Sequence, residues 1–466
     1  MATRYLRPAP GRIIAMQGDA GMPNHDVAVI GGGPCGISVA MRAASRGLKV
    51  VLFERSRLGG ARHLAETVPL RVLGRLAAMA ALGSRRDQGV RWEGVAVEWA
   101  GIRRALDDAQ AAVAETYSLA RLQKLGITVV RASAHFTAHD RIEAGGQFHD
   151  FRKAVVAIGT TPVIPDIPGL AGCSWLTPDR LLALAEQPRH LLILGGDAQA
   201  VELAQAFARL GSQVSIITDR PNILNSAEPE IRLQLRDRLR ADGVVFHENT
   251  TVTDIIGGSV GVGLRTSDGA RIEGTHLVLA AGTVPDLQPL DLRAAGVEAP
   301  EAECGPGDSW KSTPNSRIWM LGPRWRVGDS QAEPWLAGTG PMNIGRLAAS
   351  WSPKATEQRG MRVRMVRSDP ALLQFGQTEA EARAGGPPPR VIRLSYSEGH
   401  TGTDFNPLFL KVIQDSRGAV AGVSLLRQEA WRDQAILEHL LATGTATPTQ
   451  VGAALEVPLL LDAEEA

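Results

Sequence analysis

Apolar runs that stop at a glycine recur along this chain, and they set its predicted architecture. His25-Asp-Val-Ala-Val-Ile30 is mostly apolar and ends at Gly31, the pattern of a strand buried on both faces. An alanine-rich stretch from Ile37 to Arg46 predicts a helix, and Lys49-Val-Val-Leu-Phe-Glu54 predicts the next buried strand. A second unit of the same kind opens with Leu191-Leu-Ile-Leu194. It continues with a helix over Val201 to Leu210 and returns along Gln213-Val-Ser-Ile-Ile217. Two such units predict an α/β chain with two Rossmann-like domains. Pro162, Pro165 and Pro168 mark the crossing from the first domain to the second, and Ala280-Ala-Gly-Thr-Val-Pro285 the crossing back. The first domain is therefore discontinuous, over residues 24–166 and 284–350, with the second over 167–283. From about residue 355 the apolar runs shorten. Arg362–Val366, Val391–Ser395, Leu408–Gln414 and Val420–Leu425 read as strands around a helical Glu379–Ala384, with a helix over Glu429–Thr443. Residues 355–466 thus read as a third, α+β domain.

Composition narrows the function classes. A net charge of +1 gives no electrostatic footprint for nucleic acid or an anionic membrane. No apolar run approaches the roughly 20 residues of a membrane span. Residues 1–23 carry Arg4, Arg7 and Arg12 with Pro8 and Pro10 and no continuous apolar core, so they read as a flexible arm rather than a secretory signal. Cys35, Cys173 and Cys304 form no CxxC or CxxxxC spacing, which argues against a disulfide framework and suits a reducing cytoplasm. The ten histidines are scattered, and no metal site is expected.

The two glycine loops carry the chemistry. Gly31-Gly-Gly33-Pro-Cys-Gly36 fits G-x-G-x-x-G between a strand and a helix. Gly31 permits the tight turn, Gly33 lets a pyrophosphate approach the backbone, and Gly36 lets the helix pack closely. Glu54, at the end of the following strand, is placed to accept hydrogen bonds from a ribose. Cys35 reads as a small filler at the helix start. The second loop, Gly195-Gly196-Asp197-Ala198-Gln199-Ala200, keeps the turn glycine and a small Ala200. Asp197 stands where the close-approach glycine belongs, and its carboxylate would repel a pyrophosphate. Thr218 ends the return strand where an acid is expected, with Asp219 and Arg220 as partial substitutes.

Downstream of the first loop runs Leu58-Gly59-Gly60-Ala61-Arg62-His63-Leu64-Ala65-Glu66-Thr67-Val68-Pro69. With the first loop and Ala157-Ile-Gly159-Thr-Thr-Pro162, this segment makes the chain resemble the pyridine nucleotide-disulfide oxidoreductases, nearest the mercuric reductase and dihydrolipoamide dehydrogenase branch. Glu202-Leu-Ala204 and Thr378-Glu-Ala-Glu-Ala-Arg383 extend the resemblance toward the C-terminus. It implies FAD at the first site, held by Gly31, Gly33, Gly36 and Glu54 with Gly59, Gly60, Gly159 and Gly322. It implies NAD(P)H at the second site, around Gly195 and Ala200, and a homodimer formed through the third domain. A further implied pair is a basic residue and a glutamate beside the flavin, here Arg71 and Glu202.

The departures from that pattern are as informative. The family's segment reads L-G-G-T-C-x-x-x-x-C-x-P, and Arg62 and Thr67 stand where its two cysteines belong. Neither can carry thiol–disulfide exchange, whose reactivity depends on the sulfur. The family's C-terminal H-P-T-x-x-E is matched here by Val457-Pro458-Leu-Leu-Leu-Asp462, and valine cannot carry a proton. Pro323, after Gly322, replaces an aspartate that would bond the ribityl chain. Asp197 counts against NAD(P)H in the usual pose. Two readings follow: an FAD-dependent oxidoreductase whose flavin passes electrons directly to a small acceptor, and a non-catalytic, FAD-binding dimeric scaffold.

Overall fold

The computed structural model describes residues 24–83, 95–258, 261–297, 310–321, 363–397, 407–441 and 444–455. Three larger sheets organise them, beside a three-stranded antiparallel sheet (Val252–Gly257, Val262–Thr266, Arg271–Gly274) and a two-stranded pair. The first has eight strands, with His25–Ile30 paired in parallel to Val50–Phe53 on one side and Gln147–Val156 on the other. Val27, Ala28, Val29 and Ile30 are all buried, which explains why this strand reads as a continuous apolar run rather than an alternation. Helix Pro34–Ala44 starts with proline inside its first turn, where the missing N–H costs nothing.

The second sheet is five parallel strands: Val244–His247, Gln213–Ile217, His190–Leu194, His276–Leu279 and Trp175–Leu176. A short antiparallel pair, Thr160–Pro162 with Thr283–Pro285, joins the outgoing and returning crossings between the two parallel sheets. The third sheet is antiparallel, in the order Val363–Val366, Ala371–Gly376, Val420–Arg427, Pro407–Gln414 and Arg390–Ser397. The helix expected over Glu429–Thr443 is shorter and interrupted. A 3₁₀ turn at Ala430–Arg432 precedes the α-helix Gln434–Leu441. Glu429 sits at φ +52°, and Arg427 is ion-paired to Asp433 across the turn, so the chain re-aims before the helix begins.

One apolar core crosses all three units. Leu73 and Ala77 of helix Val68–Gly83 share it with Val201, Leu203 and Phe207 of helix Ala198–Arg209 and with Leu372, Phe409 and Leu426 of the third sheet. The helix that follows the second glycine loop is therefore sandwiched between the first unit and the third. Polar contacts reinforce the seam. Arg209 pairs with Asp242 at 2.9 Å and with Asp369 at 2.8 Å, and its side chain is 3% exposed. Lys411, 1% exposed, is held by Glu228 at 2.8 Å, Glu230 at 2.9 Å and Glu379 at 2.8 Å.

Candidate functional site

The first glycine loop opens onto a cleft of about 390 Å³, within the range of cofactor and small-molecule pockets. Gly31 has φ +112°, and a Cβ there would lie 2.3 Å from the carbonyl oxygen of Ala157, so only glycine fits the turn. A Cβ on Gly36 would come within 1.9 Å of the Gly31 oxygen. Gly33 differs from both. Its missing Cβ points at open space, with Gly60 Cα at 3.9 Å as the nearest atom, leaving the backbone approachable.

Glu54 is 8% exposed and both of its carboxylate oxygens are engaged. The Gly32 N–H donates to Oε2 at 2.7 Å, and the Ser56 N–H donates to Oε1 at 2.7 Å. Two backbone donors thus fix the carboxylate at the cleft wall, while each oxygen retains accepting capacity.

The Leu58–Pro69 segment is pinned to this loop. The Gly59 N–H donates to the Gly32 oxygen at 2.8 Å, and Gly59 and Gly60 take φ of +92° and +80°. A Cβ on Gly59 would strike the Tyr117 ring at 2.6 Å. The chain then makes one turn of π-helix, His63–Thr67, before the α-helix Val68–Gly83. Such turns insert a residue and are frequent at functional sites.

Arg62 is not spare. Its Nε donates to Glu66 Oε2 at 2.8 Å, and its Nη1 donates to Thr160 Oγ1 at 2.8 Å and Thr283 Oγ1 at 3.2 Å. Gln199, from the second loop, donates to the same Glu66 oxygen at 2.9 Å. Thr160 and Thr283 belong to the paired crossing strands. Arg62, Glu66 and Gln199 therefore fasten the segment to both interdomain crossings and to the second unit. Sequence reading singled out Arg62 for the sulfur it displaces and missed these partners, which lie 98 and 221 positions away.

Arg71 and Glu202 both line the cleft, as do Thr67, Gly60 and Gly159. Glu202 Oε1 accepts a hydrogen bond from the Arg367 N–H at 2.7 Å, which fastens the carboxylate to the third unit. Met365 and Arg367 reach the same cleft from that unit, a contribution no local motif announced. Cys35 lines the cleft too, and burial pushes its thiol up to about 11. A raised thiol holds little thiolate at neutral pH, the opposite of the lowered thiols of redox enzymes. Gly322, Pro323, Val457 and Cys304 lie outside the described residues.

At the second loop Gly195 repeats the turn. Its φ is +129°, and a Cβ would meet the Ala280 oxygen at 2.1 Å. Asp197 is the N-cap of helix Ala198–Arg209, with φ −81° and ψ 179°. Gly33 caps its own helix at φ −74° and ψ 175°, so the two loops share one backbone path. Thr218 is 3% exposed and packs under Gly196, while Asp219 and Arg220 are largely exposed. Among the described residues no group of three or more His, Cys, Asp or Glu could hold a metal ion, and no helix is long and apolar enough to cross a membrane.

Comparison with known proteins places this geometry. The mercuric reductase of Streptomyces lividans is 26% identical over 437 residues, 90% of this chain and 87% of that protein. The mercuric reductase of Acidithiobacillus ferrooxidans is 31% identical over 283 residues, 58% of this chain, and this chain spans about half, 51%, of its length. Among solved structures, the HOCl-induced flavoprotein disulfide reductase RclA of Escherichia coli superposes with a TM-score of 0.73 at 22% identity, covering 91% of this chain and 94% of that one. The family model described as pyridine nucleotide-disulphide oxidoreductase matches residues 25–328. With most of its length under that model, the chain belongs to the pyridine nucleotide-disulphide oxidoreductase family, a family of FAD-dependent oxidoreductases.

Proposed function

We propose that this protein is an FAD-dependent oxidoreductase that works without a dithiol, its flavin giving electrons directly to a small acceptor. The observation that carries this reading is the fastening of Arg62 in the position of a family cysteine, on a segment still pinned to a complete first glycine loop. When bound, FAD supplies the redox centre. The chain's part is to hold it. The open space over Gly33 accepts a pyrophosphate at the N-terminus of helix Pro34–Ala44, and the oriented Glu54 accepts the adenosine ribose. Gly60 and Gly159 line the cleft, and Gly59 holds the turn that brings Gly60 to it.

Arg71 and Glu202 set the charge beside the reacting end of the flavin, with Glu202 held in place by Arg367. At the second loop we propose that Asp197 keeps NAD(P)H from its usual pose, since the shared backbone path puts a carboxylate where the first loop offers bare backbone. Residues 355–466 are proposed to form a homodimer interface, in a cytoplasmic protein.

The visible spectrum of the purified protein tests the reading, recorded before and after anaerobic reduction and again on adding candidate acceptors. Bound flavin that reoxidises with a small acceptor is expected. A colourless protein, or a flavin that no reductant reaches, would overturn it. Asp197 also supports a second reading, a non-catalytic FAD-binding scaffold, and an unreducible flavin would favour it.

A further inference from the structure

Arg62 has more donors than its neighbours use. A guanidinium carries five N–H donors, one on Nε and two on each Nη. Nε is taken by Glu66, and Nη1 serves Thr160 and Thr283. The two N–H groups of Nη2 find no hydrogen-bond acceptor among the described residues. The side chain is 22% exposed and forms part of the cleft wall beside Thr67, so this end of it is not sealed in the core. Its other two nitrogens are held by a carboxylate and two hydroxyls, which leaves the planar group little freedom. A fixed, half-buried guanidinium with an open Nη2 offers one charge-assisted N–H···O bond to a carboxylate or comparable oxyanion, and little side-chain entropy is lost when the anion binds.

The surrounding wall agrees in charge and shape. Arg55, Arg71 and Arg367 line the cleft with Arg62, alongside the carboxylates of Glu54, Glu202 and Asp286. Leu70 and Met365 give it an apolar stretch. The strand pair behind Arg62 also makes the placement rigid. Thr160 and Thr283 lie on the two paired crossing strands, opposite Pro285 and Pro162, so the guanidinium is anchored to the joint between domains rather than to a loop.

We propose that Arg62 is the head-group anchor of a small-anion subsite in this cleft, and that the acceptor is a small organic molecule with a carboxylate or oxyanion head and an apolar body. The proposal rests on the flavoenzyme reading for the word acceptor, though not for the subsite. The position that holds a sulfur in the family would here hold a fixed cation. The residue would then bind what the flavin reduces instead of relaying electrons to it.

Benzoate and its neutral isostere benzamide are the probes, titrated calorimetrically into the purified full-length protein and followed by the visible difference spectrum. Saturable benzoate binding is expected, with benzamide binding at least about tenfold weaker because it brings no charge to the guanidinium. Arg62→Gln should weaken benzoate by a similar factor, and Arg62→Lys by less, since lysine keeps the charge without the fixed planar orientation. Equal binding of the two probes, or none of benzoate, overturns the subsite on the unmodified protein alone, so the conclusion survives a variant that folds poorly. A colourless protein that still discriminates benzoate from benzamide would sink the flavin reading and leave the subsite standing. A coloured protein that binds neither would do the reverse.

Discussion

Gly31 and Gly195 sit at the same step of two successive folds, each with positive φ and each pressed against the carbonyl oxygen of an alanine that ends a neighbouring strand. From that shared start the loops diverge position by position. Gly33, with open space above it, corresponds to Asp197. Cys35 corresponds to Gln199, which reaches back to Glu66. Glu54, held by two backbone N–H groups, corresponds to the buried hydroxyl of Thr218. Backbone geometry is retained in both loops, each turn glycine fitting where a Cβ would meet a carbonyl oxygen. The groups proposed to touch a phosphate or ribose, Gly33 and Glu54, have no like residue in the second loop. In the second loop Asp197 and Thr218 stand in their places, and Gln199 ties the unit to the first.

If the second unit serves mainly as a fastened support, cutting a fastening should cost stability and leave the first site intact. Lys411→Met removes the cation from a cluster that buries Glu228 to 1% exposure, and leaving that carboxylate without its partner should cost about 3–5 kcal/mol. Denaturant unfolding would measure the loss, while flavin absorbance per folded protein should not change. A loss of flavin in proportion would mean the seam also shapes the first site. The same cluster sets an acid limit. Hydrogen bonding to Lys411 holds the Glu379 carboxyl down to about 2, below its ordinary value near 4.5. Its folded pKa lies below the unfolded one, so its stabilisation is complete above that ordinary range and drains away as pH falls toward 2. Melting temperature should drop across that window, and less steeply in Lys411→Met.

The loops themselves can be compared with one matched pair of substitutions. Gly31→Ala and Gly195→Ala each force a Cβ into a carbonyl oxygen at positive φ, and each should destabilise by about 1–3 kcal/mol. Only Gly31→Ala should also lower flavin content. Equal flavin loss from both variants would break the distinction drawn between the two sites. Asp197→Gly asks the converse question at smaller cost. Glycine is itself an acceptable helix N-cap, so the change should cost only about a few tenths of a kcal/mol. With the side chain gone, the second loop presents the same bare backbone as the first. Anaerobic bleaching of the flavin by NADH or NADPH should appear or quicken. No change would place the obstacle elsewhere, with Thr218 the next position to alter.

The parts of this picture that were legible in the sequence are the local ones. A buried strand, a glycine turn, a helix and a terminal acid fall within about two dozen positions, and steric rules alone connect them. Asp197 and Thr218 were legible as departures for the same reason. The π-turn at His63–Thr67 left no local signal, because its extra residue is stabilised by what surrounds it rather than by its own propensities. Arg62 could be read as a missing sulfur but not as a clasp, since Thr160 and Thr283 meet only when the crossing strands pair. Lys411 is one charge within the apolar run Leu408–Gln414, and its three carboxylates come from the second unit and from the start of a short helix, too far along the chain to be read locally.

Cys35 offers the smallest effect and the cleanest separation of the two loops. It is the described cysteine that lines the cleft, so a residual thiol mechanism at this cleft would have to pass through it. Burial argues against that role. A thiol pushed up to about 11 is ionised to only about one part in a thousand near pH 8, and the thiolate is the species that attacks. Cys35→Ala removes one small, half-buried atom from the helix start, where Gly36 and Ile37 already supply the tight packing. The change should cost less than about 1 kcal/mol and leave both flavin content and the rate of flavin reoxidation unaltered. Alkylation should tell the same story, with Cys35 in the folded protein reacting far more slowly with iodoacetamide than a free thiol. Rapid labelling of Cys35, or a fall in turnover in Cys35→Ala, would return a sulfur to the mechanism. The first loop would then be more than a holder, and the fastening of Arg62 would need another explanation.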